Sequence, residues 1–207
     1  MIHGLPSGCA TDWQERLGED RAAQLVEFAV ALPLLVVFVV GIFDFSGAFT
    51  LKQRLTNIAR DASRTAAVDP SNDVQPGLLP PPASVVDVFQ IVDNYLLANN
   101  VNDCGITVSN VSAAGLTWTF NANGNGCPSA GLTIIVNRGY YFPATGAVLP
   151  GANCQAQSPN AQTAIVATCV SVQYPYPWRF GKAASLLGSN NALPTTITAV
   201  AVAMNED

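Results

Sequence analysis

A single acid, Glu27, lies at the front of the most apolar stretch of this sequence. The run from Phe28 to Phe43 contains no charged residue and no amide, and Asp44 ends it. A carboxylate at the edge of a lipid-length segment is costly unless a cation meets it. Glu27 is therefore the first residue to which we assign a function. The alternative is that it simply lies in the lipid headgroup layer.

The apolar run itself predicts a membrane-spanning helix. Read alone, its roughly 16 residues are slightly short of a bilayer span, and the flanking apolar and small residues extend the segment to 25–48. Pro33 lies inside it and removes one backbone hydrogen bond, which membrane helices tolerate. A cleaved secretory signal fits less well, because the front is rich in acids, the apolar core is too long and no small-residue cleavage site follows it promptly.

The residues around Glu27 resemble a known family. Residues 22–35 read Ala-Ala-Gln-Leu-Val-Glu-Phe-Ala-Val-Ala-Leu-Pro-Leu-Leu. This segment is similar to the N-terminus of the TadE-like pseudopilins, the minor pilin-type proteins of tight-adherence pilus systems. The similarity continues through residues 41–67, and residues 170–174 and 197–204 resemble strands of the family.

The resemblance implies processing and assembly. A prepilin peptidase would cut between Ala22 and Ala23, where this sequence has alanine before the cut and the family usually has glycine. Glu27 and Phe28 would then be the fifth and sixth residues of the mature chain. In pilin-type filaments the helices bundle at the centre, and an acid at the position of Glu27 faces the new amine. The implied partners are other pilins or pseudopilins, the peptidase and the inner membrane.

Four cysteines lie in the part predicted to be outside the cell membrane. They allow three pairings, and we favour Cys104–Cys127 and Cys154–Cys169 because both close short local loops. Disulfides need an oxidising compartment, which predicts an inner-membrane protein with its C-terminal domain in the periplasm or on the cell surface. The fifth cysteine, Cys9, lies in the predicted leader.

No catalytic or metal-binding constellation is recognisable, and we expect no enzyme, cofactor or metal. The only histidine, His3, lies in the leader, which excludes a Ser-His-Asp or Cys-His site from the mature domain. The asparagine- and glycine-rich residues 121–126 have no carboxylate for calcium and predict a hairpin loop. An enzyme would need a site built from Asp, Tyr or Ser alone. The net charge of −5 argues against nucleic-acid binding.

The 207 residues leave room for one globular domain beyond the helix. We divide the chain into a leader at 1–22, a long helix at 23–67, a proline-rich connector at 68–83 and an α+β domain at 84–207. Only 11% of residues are charged, a share that suits an extracytoplasmic domain packed against neighbours. A pilin-like subunit fits this layout. The alternative is an uncleaved, membrane-anchored binding module that forms no filament.

Residue spacing predicts the elements of that domain. The helix should end at Asp69-Pro70 and pack one stripe on the domain, namely Ala48, Leu51, Leu55, Ile58, Ala62 and Ala66. A second helix should follow, capped by Ser84 and ending at Asn99-Asn100. Alternating residues then predict an antiparallel meander of about five strands near 106–109, 116–120, 132–142, 166–174 and 195–204. The prediction includes a bulge at Gly139 and an alanine face on the last strand turned to the long helix.

One further motif is the aromatic run Tyr174-Pro-Tyr-Pro-Trp-Arg-Phe180. It has two interpretations: a docking surface for a partner subunit, or a corner that folds over the domain's own core.

Overall fold

The computed structural model describes residues 11–70, 72, 74–127, 131–143, 151–155, 164–179 and 193–206. Side chains are described from Ala23 onward, except those of residues 142–143 and 164–165. The chain forms two compact units, which divide the long helix between Phe45 and Ser46. The second unit contains the sheet.

Helix α1 runs from Thr11 to Val68 and continues through Pro33. It thus begins inside the predicted leader rather than at Ala23, and it ends where Asp69-Pro70 predicts. The predicted stripe is confirmed: Leu55, Ile58, Ala62 and Ala66 are at most 1% exposed, Ala48 is buried and Leu51 is half-buried. Most polar side chains between them are exposed on the other faces of the helix, namely those of Lys52, Gln53, Asn57, Arg60, Asp61 and Arg64, whereas Ser63 is only 1% exposed.

Helix α2 spans Ala83–Ala98 and buries an apolar face formed by Val85, Val88, Phe89, Val92 and Leu96. The predicted cap by Ser84 is wrong. The N-cap residue is Pro82, which makes no side-chain capping bond, and Ser84 is buried within the first turn. A proline in extended conformation already fixes the chain's entry to the helix, so the polar cap is not needed.

Five antiparallel strands form one sheet in chain order, β1 Val111–Ala114, β2 Thr117–Ala122, β3 Leu132–Pro143, β4 Ala164–Pro175 and β5 Thr196–Met204. The predicted α+β meander is therefore confirmed. The bulge is confirmed as well, since the register of β3 against β4 shifts between Asn137 and Tyr140. The Asn137 side chain accepts a hydrogen bond from the Gly139 N–H at 2.9 Å and stabilises this irregularity.

The first predicted strand, at 106–109, is wrong. These residues form turns, with hydrogen bonds from the Ile106 N–H to the Asp103 carbonyl and from the Asn110 N–H to the Thr107 carbonyl. The Thr107 hydroxyl also bonds to the side chains of Ser109 and Asn110. Such local side-chain bonds compete with a strand ladder. Pairing with β2 begins only at Val111.

The two sheet faces have separate cores. One face packs with α2 and the buried stripe of α1, and it includes the β5 alanines Ala199 and Ala201. The predicted alanine face is thus part of the core that contains the α1 alanines, which allows close approach of the elements. The opposite face has a smaller core of Ile135, Tyr140, Cys154, Ala167 and Cys169, with Val200 and Val202 packed on it.

Candidate functional site

The front half of α1 carries an almost uninterrupted exposed apolar surface. Apart from Val37, its large apolar side chains are 40–74% exposed from Leu25 to Phe45. A helix that is apolar all round is typical of a membrane span or of the centre of a helix bundle. Residues Ala23–Val68 include a segment long and apolar enough to cross a membrane. Water alone is a poor environment for this surface, which therefore needs lipid or other helices.

Glu27 lies exposed within that surface. It shares a helix face with Val30, Ala31, Leu34 and Phe38, as their spacing requires. No other acid or base occurs between Ala23 and Phe43. The carboxylate is thus a single charge on a hydrocarbon surface, and a cation from the same chain's terminus or from another subunit would stabilise it.

The predicted processing junction is close to this carboxylate. Ala22 and Ala23 both lie within α1, and the side chain of Ala22 is outside the described residues. Ala23 is one helical turn before Glu27, an axial rise of about 6 Å. A cut before Ala23 would create an amine and a helix N-terminus with unpaired N–H groups one turn from the acid. A negative charge near such a terminus is favourable. Phe28, the next predicted site residue, is 63% exposed.

Asp44, which ends the charge-free run, differs from Glu27. It is only 6% exposed, and its spacing places it on the face of Gly41 and Ala48, the start of the stripe that continues into the domain core. In the sequence, Asp44 was recognised only as the end of the charge-free run. Asp44 lies three residues after Gly41 and four residues before Ala48. This helical spacing was the signal that could have assigned Asp44 to the buried face.

Four cysteines form the two disulfides that we favoured from the sequence. Disulfides join Cys104 to Cys127 and Cys154 to Cys169, closing separations of 23 and 15 residues. The first fastens the loop after α2 to the hairpin loop at 121–126, where the Gly124 N–H also donates to the Cys104 carbonyl at 2.8 Å. The second lies in the smaller core. Cys9 and His3 lie outside the described residues.

A small acidic group lies between α2 and the loop that follows it. Burial raises the pKa of Asp93, and the nearby Asp103 carboxylate raises it further. The same two causes raise the pKa of Tyr174, whose hydroxyl donates to the Asn102 carbonyl at 2.9 Å. Within the described residues, no three metal-ligating side chains come together. A further acid on α2, Asp87, is exposed.

Comparison with known protein families finds a match within helix α1. Residues 22–64 match the family model of the TadE-like proteins. This match confirms the family resemblance seen in the sequence, and it lies entirely within α1. It indicates a protein associated with tight-adherence pili. No curated protein and no solved structure matches the chain.

The matched segment contains the predicted processing junction, Glu27, the exposed apolar surface and most of the stripe that packs into the domain. The domain from α2 to β5 lies outside the match. What the TadE-like family implies therefore bears on the helix, and the domain is interpreted from its own geometry.

Proposed function

We propose that this chain is a minor pilin-like subunit, a pseudopilin, that serves the assembly or initiation of a tight-adherence pilus or secretion filament. The observation that carries the proposal is the exposed carboxylate of Glu27 on the apolar surface of α1, within the residues that match the TadE-like family. The role is structural rather than enzymatic. Its partners are other pilins or pseudopilins and the prepilin peptidase.

The proposed mechanism pairs Glu27 with the amine that cleavage leaves on Ala23. In a bundle of apolar helices, neither charge is stable alone, because both are removed from water. A subunit that docks out of register leaves both charges unpaired. The pair therefore specifies the stagger between neighbouring helices, while the surrounding side chains, such as Phe28 and Phe38, supply contact area.

The proposed orientation follows from the disulfides. Both lie in the domain, and such bonds persist in oxidising compartments. The domain then lies outside the inner membrane, α1 crosses it, and residues 1–22 are cytoplasmic until they are removed.

The test replaces Glu27 with glutamine, which keeps the shape of the side chain and removes its charge. Glu27→Gln should leave membrane insertion and both disulfides intact and should abolish co-purification with the other pilus components. The matched control is Asp61→Asn, an exposed acid on the same helix beyond the apolar segment. Normal co-purification of Glu27→Gln would refute the mechanism.

The second candidate is the uncleaved membrane-anchored binding module. Helix α1 begins at Thr11 and continues without interruption across Ala22 and Ala23. A chain that keeps this segment has no amine beside Glu27, and its domain would act as a ligand-binding module on a simple anchor. The two candidates predict different N-termini for the protein in its membrane.

A further inference from the structure

The aromatic run that begins at Tyr174, at the end of β4, folds back on the domain and brings the rings of Tyr176 and Trp178 into contact. Tyr174 and Pro175 are buried at the end of the strand. Tyr176 and Trp178 are half-buried, with ring centroids 4.9 Å apart at an interplanar angle of 72°. The Tyr176 N–H donates to the Thr195 carbonyl at 3.0 Å. These contacts favour the corner interpretation for most of the run, whose last residue, Phe180, lies outside the described residues.

This aromatic pair, Tyr176 and Trp178, is seated against α1. A Cβ atom added at Gly47 would lie 2.7 Å from the Tyr176 hydroxyl oxygen, which is closer than such atoms approach. Gly47 thus allows the phenol to lie directly on the helix backbone. The Trp178 indole N–H donates to the Pro194 carbonyl at 2.6 Å, which fixes the second ring beside the first.

With the charge-free run centred in a bilayer, Gly47 would lie at the depth where hydrocarbon gives way to headgroups. The midpoint of the charge-free run from Phe28 to Phe43 is roughly 17 Å from Gly47 along the helix axis. The hydrocarbon half-thickness of a bilayer is about 15 Å. Beyond Gly47, Phe49 is still 65% exposed, and Lys52 is the first cation that follows the charge-free run. Its ammonium donates to the Thr198 carbonyl of β5.

We propose that the aromatic pair is an interfacial anchor that contacts the glycerol and headgroup layer of the outer leaflet and fixes the depth of α1. Tyrosine and tryptophan favour this layer because their rings are apolar and their O–H and N–H groups are polar. The occupant of the half-buried ring surface is therefore phospholipid, and no partner protein is required. This inference rests on the proposed insertion of α1 in the membrane, and it is independent of cleavage and of Glu27.

The experiment uses tryptophan fluorescence of the full chain in phosphatidylcholine and phosphatidylglycerol vesicles. The sequence has three tryptophans, Trp13, Trp118 and Trp178. Trp118 is fully buried and donates to the Leu78 carbonyl, so lipid cannot reach it. In a Trp13→Phe background, any quenching by brominated lipid then reports Trp178. The matched control is the same background with Trp178→Phe, which keeps Trp118 as an internal reference.

We expect Trp178 to be quenched more by lipids brominated near the headgroup than by lipids brominated near the chain end, and the control to show no quenching. Vesicle flotation is measured on the same samples. A protein that floats while Trp178 behaves like the control would overturn the anchor and leave the assembly role standing. A protein that does not float would overturn both. Glu27→Gln in the same background should show unchanged quenching, which separates the anchor from assembly.

Discussion

The guanidinium of Arg138 donates a hydrogen bond of 2.9 Å to the main-chain carbonyl of Asp69, the residue after α1 ends. The same nitrogen reaches the Pro70 carbonyl at 3.4 Å, and the other terminal nitrogen donates to the Thr168 hydroxyl at 3.2 Å. Arg138 is only 3% exposed. A cation at the C-terminal end of a helix is favourable, because the carbonyl groups there carry a partial negative charge. The contact fastens the end of the long helix to β3 and β4.

Replacing Arg138 with methionine should therefore destabilise the domain by about 2–3 kcal/mol, since the charge-assisted bonds are lost and the Asp69 and Pro70 carbonyl oxygens lose their donor. Lysine should not restore stability, because one ammonium cannot reach both carbonyls and Thr168 as the planar guanidinium does. Urea unfolding in detergent, followed by Trp118 fluorescence, measures the change. Arg64→Met, an exposed arginine on α1, is the matched control. Equal stability of the two variants would contradict this account of the contact.

A pair of glycines tests the backbone geometry at the turn between β1 and β2 and at the start of β3. Gly131 has a φ of +70°, and a Cβ there would lie 2.3 Å from the Ala122 carbonyl oxygen. Gly115 has a φ of +58° with open space around it. Alanine at Gly115 should cost roughly 1–2 kcal/mol for the left-handed backbone alone. Alanine at Gly131 should cost about 3 kcal/mol or more, because main-chain atoms must also move. Urea midpoints of the two variants compare the costs, and equal values would argue against the close approach at Ala122.

The two disulfides should each contribute roughly 3 kcal/mol by restricting the unfolded chain. Replacing Cys104 and Cys127 together by alanine should lower the free energy of unfolding by that amount, and so should the same change at Cys154 and Cys169. Dithiothreitol should destabilise each double variant through the remaining bond only. If dithiothreitol left the unfolding midpoint of the parent protein unchanged, the cross-links would not contribute to stability.

Because of Asp93 on α2, we expect the stability of the domain to depend on pH. Burial and the Asp103 carboxylate hold the pKa of Asp93 above its usual value, and its Oδ1 has no hydrogen-bond partner among the described residues. The folded state therefore disfavours the charged form. Stability from this group is present at acid pH and is lost as pH rises from the unfolded pKa of 3.8 through the folded pKa.

Asp93→Asn should consequently raise the melting temperature by about 1–3 °C at neutral pH, and the gain should vanish below about pH 3. Thermal unfolding followed by circular dichroism across this pH range gives the comparison. Asp87→Asn, an exposed acid on the same helix, should show little change at any pH. A gain for Asp93→Asn that persisted at acid pH would exclude the ionisation as its cause.

The sequence predicted those elements whose side chains follow a simple period. The stripe on α1, the apolar face of α2 and the strands β2 and β5 have periodic burial. Strands β3 and β4 are buried on both faces, and their runs of β-branched and aromatic residues were the signal. The bulge at Gly139 was predicted because a glycine interrupts a long apolar alternation. The cysteine pairing was favoured by short separations along the chain.

The errors occurred where local polar bonds or distant contacts decide the structure. Thr107 belongs to an alternating stretch, yet side-chain bonds to Ser109 and Asn110 hold turns there. Ser84 looks like a cap, but Pro82 occupies that position. The hydrogen bond from Arg138 to Asp69 joins residues 69 positions apart, and the one from Trp118 to Leu78 joins residues 40 positions apart. At such sequence separations, no local pattern indicates which residues will meet. The site itself was recognisable because Glu27 interrupts an otherwise apolar surface.

The central claim is that the mature chain begins with an amine one turn from Glu27. The most direct test is the N-terminal sequence and intact mass of the protein purified from its own membrane. We expect a chain that begins at Ala23, with a mass four hydrogens below that of the fully reduced form, as two disulfides require. A chain that begins at Met1 and retains Cys9 would contradict it, because Glu27 would then have no amine of its own chain to meet.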